Sequence, residues 1–245
     1  MVLSMDRWVG KVAVVTGAAS GIGAAIVNQL VEKGLIVVGI DLHPEPIEER
    51  AKILSGKKGK LYAIKADIGK EEDVLRAFKW ITENLGPVHI LANNAGYGKF
   101  GSLMDDDTET WKTVLNTNVL GLCMASREAI KIMRANNING HIVHTNSTLG
   151  HRALFEGREI LNPEDIADGV VYALSTPEHV QVIFTIFFND WNDTLLHAVK
   201  TNINQEGDIL NAIDRISQNL ASLHILVINA GYGEYDSLLD DDTKT

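Results

Sequence analysis

The chain has 245 residues, 45% of them hydrophobic, and a formal net charge of -10. That length and apolar content suffice for an α/β core of ordinary size and exclude a disordered chain, while the acidic balance argues against nucleic acid and anionic membrane, which select basic surfaces. The single cysteine, Cys123, excludes an intrachain disulfide and fits a reducing compartment.

The N-terminus lacks the apolar core of a secretory leader, so a cytosolic chain is expected. An apolar run at 12–16 leads directly into Thr16-Gly-Ala-Ala-Ser-Gly-Ile-Gly23, which opens an amphipathic segment at 21–33. A glycine turn between a strand and a helix is where a dinucleotide pyrophosphate sits. The glycines let the backbone come close, and the helix start offers free N–H groups and the positive end of its dipole. Gly17, Gly21 and Gly23 supply the turn, and Ser20 and Ile22 supply N–H groups.

The next strand, 36–41, ends in Asp41, where an acid accepts hydrogen bonds from adenosine ribose hydroxyls and repels a 2′-phosphate. With no Arg or Lys inside the turn, the expected cofactor is NAD, with NADP as the alternative. A helix at 46–54 and a solvated basic loop (Lys57, Lys58, Lys60) follow, then a strand at 61–66, a helix at 71–85 and a strand at 90–93. Asp107 caps a long helix at 108–136, in which Cys123 reads as a core position, and a fifth strand covers 142–146. Asn162-Pro163 caps a helix at 164–174, and the apolar window 180–188 is a buried strand, far short of the roughly 20 residues that cross a bilayer.

Strands alternating with helices of these lengths give βαβ units and a doubly wound parallel sheet of Rossmann type. His141 and His144 lie three apart on one strand and so on opposite faces, which rules against a shared metal, and no metal site is assigned. Trp80 and Trp111 read as packing residues of their helices.

Residues 65–110 align without a gap to residues 200–245, with roughly half of the positions identical. Asn94-Ala-Gly-Tyr-Gly98 recurs as Asn229-Ala-Gly-Tyr-Gly233, and Asp105-Asp-Asp-Thr108 as Asp240-Asp-Asp-Thr243. The copy carries a third strand, third helix and fourth strand but no glycine turn. In the strand order 3-2-1-4-5 the third and fourth strands are separated by others, so the copy cannot rebuild its parent sheet. The organisation expected is a dinucleotide-binding unit over 1–188 and a partial second unit over 189–245, which adds strands to the first sheet irregularly or packs poorly.

The glycine spacing Thr-Gly-x-x-x-Gly-Ile-Gly, together with Asn93-Asn-Ala-Gly96, resembles the short-chain dehydrogenase/reductase family. Gly140-His-Ile-Val-His-Thr-Asn-Ser147 is similar to its farnesol dehydrogenase-like group. The resemblance implies that Asp67 and Ile68 meet the adenine, that Asn94, Ala95 and Gly96 line the nicotinamide ribose, that Asn118 holds a proton-relay water at a helix kink, and that Ser147 is the catalytic serine. It implies hydride transfer between NAD(P) and a small alcohol or ketone, and homo-oligomers formed through the long fourth helix.

That chemistry needs a tyrosine with a lysine four residues on, because a phenol near pKa 10 is a poor base at neutral pH without a nearby cation. Four residues after Tyr62, Tyr97, Tyr172, Tyr232 and Tyr235 stand Ala66, Gly101, Thr176, Asp236 and Leu239. The text passes from Leu154 to Leu161-Asn-Pro-Glu-Asp165, resembling a later helix of the family, so an internal deletion near 154–161 is expected and the sheet is incomplete in its C-terminal half. Three readings follow: an active oxidoreductase, a nucleotide-binding remnant without turnover, or a fused or mis-spliced product.

Overall fold

The computed structural model describes residues 3–98, 106–147 and 162–176, together with three strands beyond them. In chain order the elements are β1 (Val12–Thr16), α1 (Gly21–Glu32), β2 (Ile36–Asp41), α2 (Glu45–Ile53), β3 (Lys60–Lys65), α3 (Glu71–Leu85), β4 (Val88–Asn93), α4 (Thr108–Leu115), α5 (Leu122–Ala135), β5 (His141–Ser147), α6 (Pro163–Ser175), β6 (Phe184–Asp190), β7 (Asp193–Val199) and β8 (Ile225–Gly231). The strands form one sheet in the order β3-β2-β1-β4-β5-β8-β6-β7.

The first five strands are parallel. β1 is buried at every residue, as its uninterrupted Val-Ala-Val-Val requires of a central strand covered on both faces. On one face α1 and α6 bring Ile26, Leu30, Ile166, Val170 and Leu174 onto Ala13, Val15, Ile90, Ala92 and Val143. On the other, α3 and α5 bring Val74, Phe78, Ile81, Ala129 and Met133 onto Val12, Val14 and Leu91. The α3 contacts fall at Val74, Ala77, Phe78 and Ile81, the spacing of one helical stripe. Asn162 and Asp165 form a reciprocal capping box at the start of α6, with Pro163 in the first turn. The N-terminal segment is tied down where Trp8 Nε1 donates to the Leu174 carbonyl at 2.8 Å and the Trp8 ring meets His141 edge-on.

Three observations bear on the sequence reading, and the exposure of Cys123 corrects it. The helix expected over 108–136 runs from Thr108 to Ala135, with a π-helical turn at Asn116–Gly121 where the kink at Asn118 was expected. Cys123 is exposed rather than in the core, because the buried stripe of α5 runs through Ala125, Ala129 and Met133. The sheet is mixed: β8 pairs antiparallel with β5 and β6, and β7 antiparallel with β6. The copy's third and fourth strands lie at Asp193–Val199 and Ile225–Gly231.

β8 repeats the sequence that begins at Ile90 in β4, so β5 lies between two copies of one strand, parallel to β4 and antiparallel to β8. An unpaired edge of β5 would leave a row of backbone donors and acceptors open, and the ladder can be completed by a strand of either direction. The expected deletion near 154–161 and the copied helix pattern at 206–220 lie outside the described residues. Among the described residues no helix is long and apolar enough to cross a membrane.

Candidate cofactor cradle and active site

The strand order reverses direction between β1 and β4, and the crevice outside the strand ends at such a point is where α/β sheets bind ligands. Thr16 ends β1 and Asn93 ends β4, so the two sequence motifs meet there. The Thr16 hydroxyl accepts the backbone N–H of Asn94 at 3.0 Å and of Ala95 at 3.1 Å. In return Asn94 Nδ2 donates to the carbonyls of Thr16 and Gly17, each at 3.2 Å. Four hydrogen bonds therefore lock the β1 turn to the β4 loop.

The lock leaves no room for side chains at two glycines. Gly17 has φ of +67°, and a Cβ there would stand 2.7 Å from Ala95 Cα. A Cβ on Gly23 would fall 2.0 Å from the Gly17 carbonyl oxygen and 2.6 Å from Asn94 Nδ2. The backbone can thus turn tightly enough to aim the start of α1 outward. Ser20 occupies the N-cap in extended geometry, and its side chain makes no capping bond. The early N–H groups of α1, at Gly21 and Ile22, are therefore left to an anionic group.

Asp41 stands at the end of β2. Its carboxylate accepts the N–H of Ala19 at 3.1 Å and of His43 at 3.1 Å, which fixes it at the end of β2 beside the glycine turn. Asp67 begins the loop after β3, where its Oδ1 accepts the Gly69 N–H at 3.0 Å and its N–H donates to Asp73 Oδ2 at 2.9 Å. That N–H bond, followed by the Arg76 guanidinium, holds the Asp73 carboxyl below its ordinary pKa. Ile68 is buried against the α3–α5 core.

On the opposite side of the crevice, the Asn118 side chain makes both of its bonds to the Tyr97 backbone. Its Oδ1 accepts the Tyr97 N–H at 2.8 Å and its Nδ2 donates to the Tyr97 carbonyl at 2.9 Å. Asn118 lies within the π-helical segment, a distortion that recurs at functional sites because it re-aims a helix position. These two bonds tie the side chain to the loop after Gly96 and leave one lone pair on Oδ1 and one N–H on Nδ2 for a further partner. Ser147 is the last residue of β5. Behind the crevice Asn93 Nδ2 donates to Ser126 Oγ at 2.9 Å and lies 3.2 Å from His144 Nδ1. Burial pushes the His144 pKa down, so the neutral ring can accept from the amide.

The chain matches the short chain dehydrogenase family over residues 11–158, more than half its length. It belongs to that family. Farnesol dehydrogenase from Aedes aegypti is 36% identical, over 73% of this chain and 95% of that protein. Dehydrogenase/reductase SDR family member 11 from Homo sapiens is 32% identical, over 73% of this chain and 94% of that one. A metagenomic short-chain oxidoreductase solved in complex with NADP shares the fold, with a TM-score of 0.65 and 23% identity over 71% of this chain and 94% of that one.

Within this short-chain dehydrogenase framework the structure brings together Gly17, Ser20, Gly21, Ile22, Gly23, Asp41, Asn94, Ala95 and Gly96 around the β1–β4 crevice, with Asp67 and Ile68 on the loop after β3. Among the described residues no cluster of His, Cys, Asp and Glu could hold a metal ion. Sequence reading missed the Thr16 hydroxyl, although Thr16 opens the glycine motif, and the Asp73 carboxylate that receives the Asp67 N–H. The first could have been found from its place as a hydroxyl at the end of an apolar strand that leads straight into the glycine turn.

Proposed function

We propose that this chain is a nicotinamide-dinucleotide-binding member of the short-chain dehydrogenases that holds the cofactor without carrying out the family's proton-coupled hydride transfer. The observation that carries the reading is the β1–β4 lock. Thr16 and Asn94 hold the glycine turn closed, which leaves the start of α1 without a side-chain cap and facing the crevice. NAD(P), when bound there, would supply the hydride-exchanging ring. The residues present would hold its pyrophosphate at Gly17–Gly23 and its adenosine end between Asp41 and Asp67–Ile68.

The fixed Asp41 carboxylate supports NAD over NADP, because a 2′-phosphate beside it would meet an anion that two backbone N–H groups hold in place. Asn118 positions the loop after Gly96, and Ser147 closes the fifth strand, so part of the family's catalytic apparatus remains. What the sequence does not contain is a tyrosine followed four residues later by a lysine, and a substrate alkoxide then has no partner to take up or deliver its proton.

The alignment with the mosquito farnesol dehydrogenase supports an internal loss of that segment. It runs over 233 positions but draws on 73% of the 245 residues here, about 179, so about 54 positions of the relative face a gap. The family acts on small alcohols and carbonyls, and such a molecule is the ligand class expected beside the cofactor. The lone cysteine supports a reducing, cytosolic setting.

An active dehydrogenase is the competing reading, favoured by Asn118 and Ser147. Titration with NADH followed by fluorescence, alongside turnover on a panel of secondary alcohols and ketones, separates the two. Saturable NADH binding without turnover is expected, and steady turnover would refute the reading.

A further inference from the structure

The outer face of α1, the end of α2 and the first turn of α6 bound a cleft of about 370 Å³, and none of the residues around the β1–β4 crevice lines it. Ala25, Asn28 and Glu32 line it from one face of α1, at the spacing of a helical row. Arg50, Ile53 and Leu54 line it from α2, and Glu164 from α6.

Arg50 is the unusual member. Its Nη1 donates to Asn28 Oδ1 at 3.1 Å, which anchors one end of the guanidinium to a neutral oxygen. Nε is buried without an acceptor, and no carboxylate among the described residues pairs with this half-buried group. A buried charged donor left unmet costs more than a neutral one, and calls for a partner.

The two acids of the cleft differ. Glu32 is already engaged, with Lys57 Nζ at 3.0 Å. Glu164 is exposed in the first turn of α6, and no cation among the described residues pairs with it. Among the described residues the cleft therefore offers an unpaired cation, an unpaired carboxylate and an apolar wall of Ala25, Leu54 and the 80% exposed Ile53.

We infer that this cleft binds a small zwitterion of the amino-acid class, with a carboxylate, an ammonium group and an aliphatic side chain. The carboxylate accepts from the guanidinium donors that Asn28 leaves unused, the charge-assisted pairing for which an arginine fork is shaped. Nε is closed to solvent, so seating the carboxylate takes a turn of the guanidinium about its Asn28 bond. The ammonium group meets Glu164, and the aliphatic side chain covers Ile53. The cleft has the volume of a small-ligand site. A sulfate or phosphate would bring multiple negative charge beside Glu164 and Glu32, so an inorganic anion fits less well. None of these residues belongs to the cofactor cradle, so occupancy of the cleft does not rest on the cofactor reading.

The test follows the Nε–H resonance of Arg50 in the full, isotopically labelled chain by heteronuclear NMR, with Arg50→Gln assigning the signal. The backbone amides of Asn28 and Ile53 report the same binding. L-leucine, isocaproate (leucine without its ammonium group) and sulfate are titrated separately. Leucine is expected to shift these signals saturably, and to lose the effect in Arg50→Gln. Glu164→Gln should weaken leucine about tenfold and leave isocaproate within twofold of the parent. Absence of a saturable leucine shift would overturn the inference. A sulfate effect as strong as that of leucine, marking a general anion site, or a leucine affinity unchanged by Glu164→Gln would overturn it equally.

Discussion

Asn94 is bound to Thr16 twice, through its backbone N–H to the threonine hydroxyl at 3.0 Å and through its side-chain amide to the threonine carbonyl at 3.2 Å. The pair joins the end of β1 to the loop after β4 across the point where the sheet changes direction. It stands between the glycine turn on one side and the loop held by Asn118 on the other.

Replacing Thr16 with Val keeps the shape and removes the acceptor for two N–H groups at a position that is 1% exposed. Leaving buried donors unmet costs about 1–3 kcal/mol, so Thr16→Val should lower the urea midpoint and weaken NADH binding. An unchanged midpoint and affinity would show that the lock is not needed.

Gly23→Ala places a methyl group 2.0 Å from the Gly17 carbonyl oxygen, closer than any relaxation of a single side chain can relieve. The turn must open, with a stability loss of about 1–3 kcal/mol or more and loss of NADH binding. Thermal unfolding and fluorescence titration of the purified variant check both. Binding within twofold of the parent would place the cofactor elsewhere.

Asp41→Ser removes the anion beside the ribose position while keeping a short polar side chain. The ratio of NADPH to NADH affinity should rise about tenfold or more, which is about 1.4 kcal/mol. Calorimetric titration with both cofactors reads the ratio directly, and a ratio that stays put would remove Asp41 from the adenosine site.

Burial lowers the pKa of His144 and of His89 from their ordinary value of 6.5. A histidine depressed in the folded state stays neutral while the unfolded chain takes up its proton. The stability it contributes is complete above pH 6.5 and declines as the pH falls through that value. Denaturant midpoints measured from pH 8 to pH 5 should fall on the acid side, and His144→Gln should flatten the decline. A midpoint that rises with acid would contradict the neutral His144 that accepts from Asn93.

Much of the fold was legible because several independent signals agreed. The buried run at 12–16, the glycine spacing and Asp41 at a strand end each predicted the same βαβ unit, and the structure joins them through Ala19 and Thr16. What was not legible depends on contacts between distant segments. Cys123 has apolar neighbours in sequence, yet only the packing of α5 decides which residues form its buried stripe. The antiparallel run of β8 is equally invisible, because its sequence matches a strand that is parallel in β4, and the choice of direction rests with the edge it joins. The side-chain partner of Asn118 was equally hidden, because it is the Tyr97 backbone, 21 residues away, which no local pattern indicates.

The central claim is a cofactor cradle without the proton-transferring pair, and single-turnover spectroscopy tests it most directly. The full chain is mixed with NADH and an excess of a reactive ketone, and absorbance of the reduced nicotinamide is followed alongside its protein-bound fluorescence. The account predicts bound, fluorescent NADH whose absorbance stays constant. Oxidation of NADH at a rate proportional to enzyme, and abolished in Ser147→Ala, would contradict it.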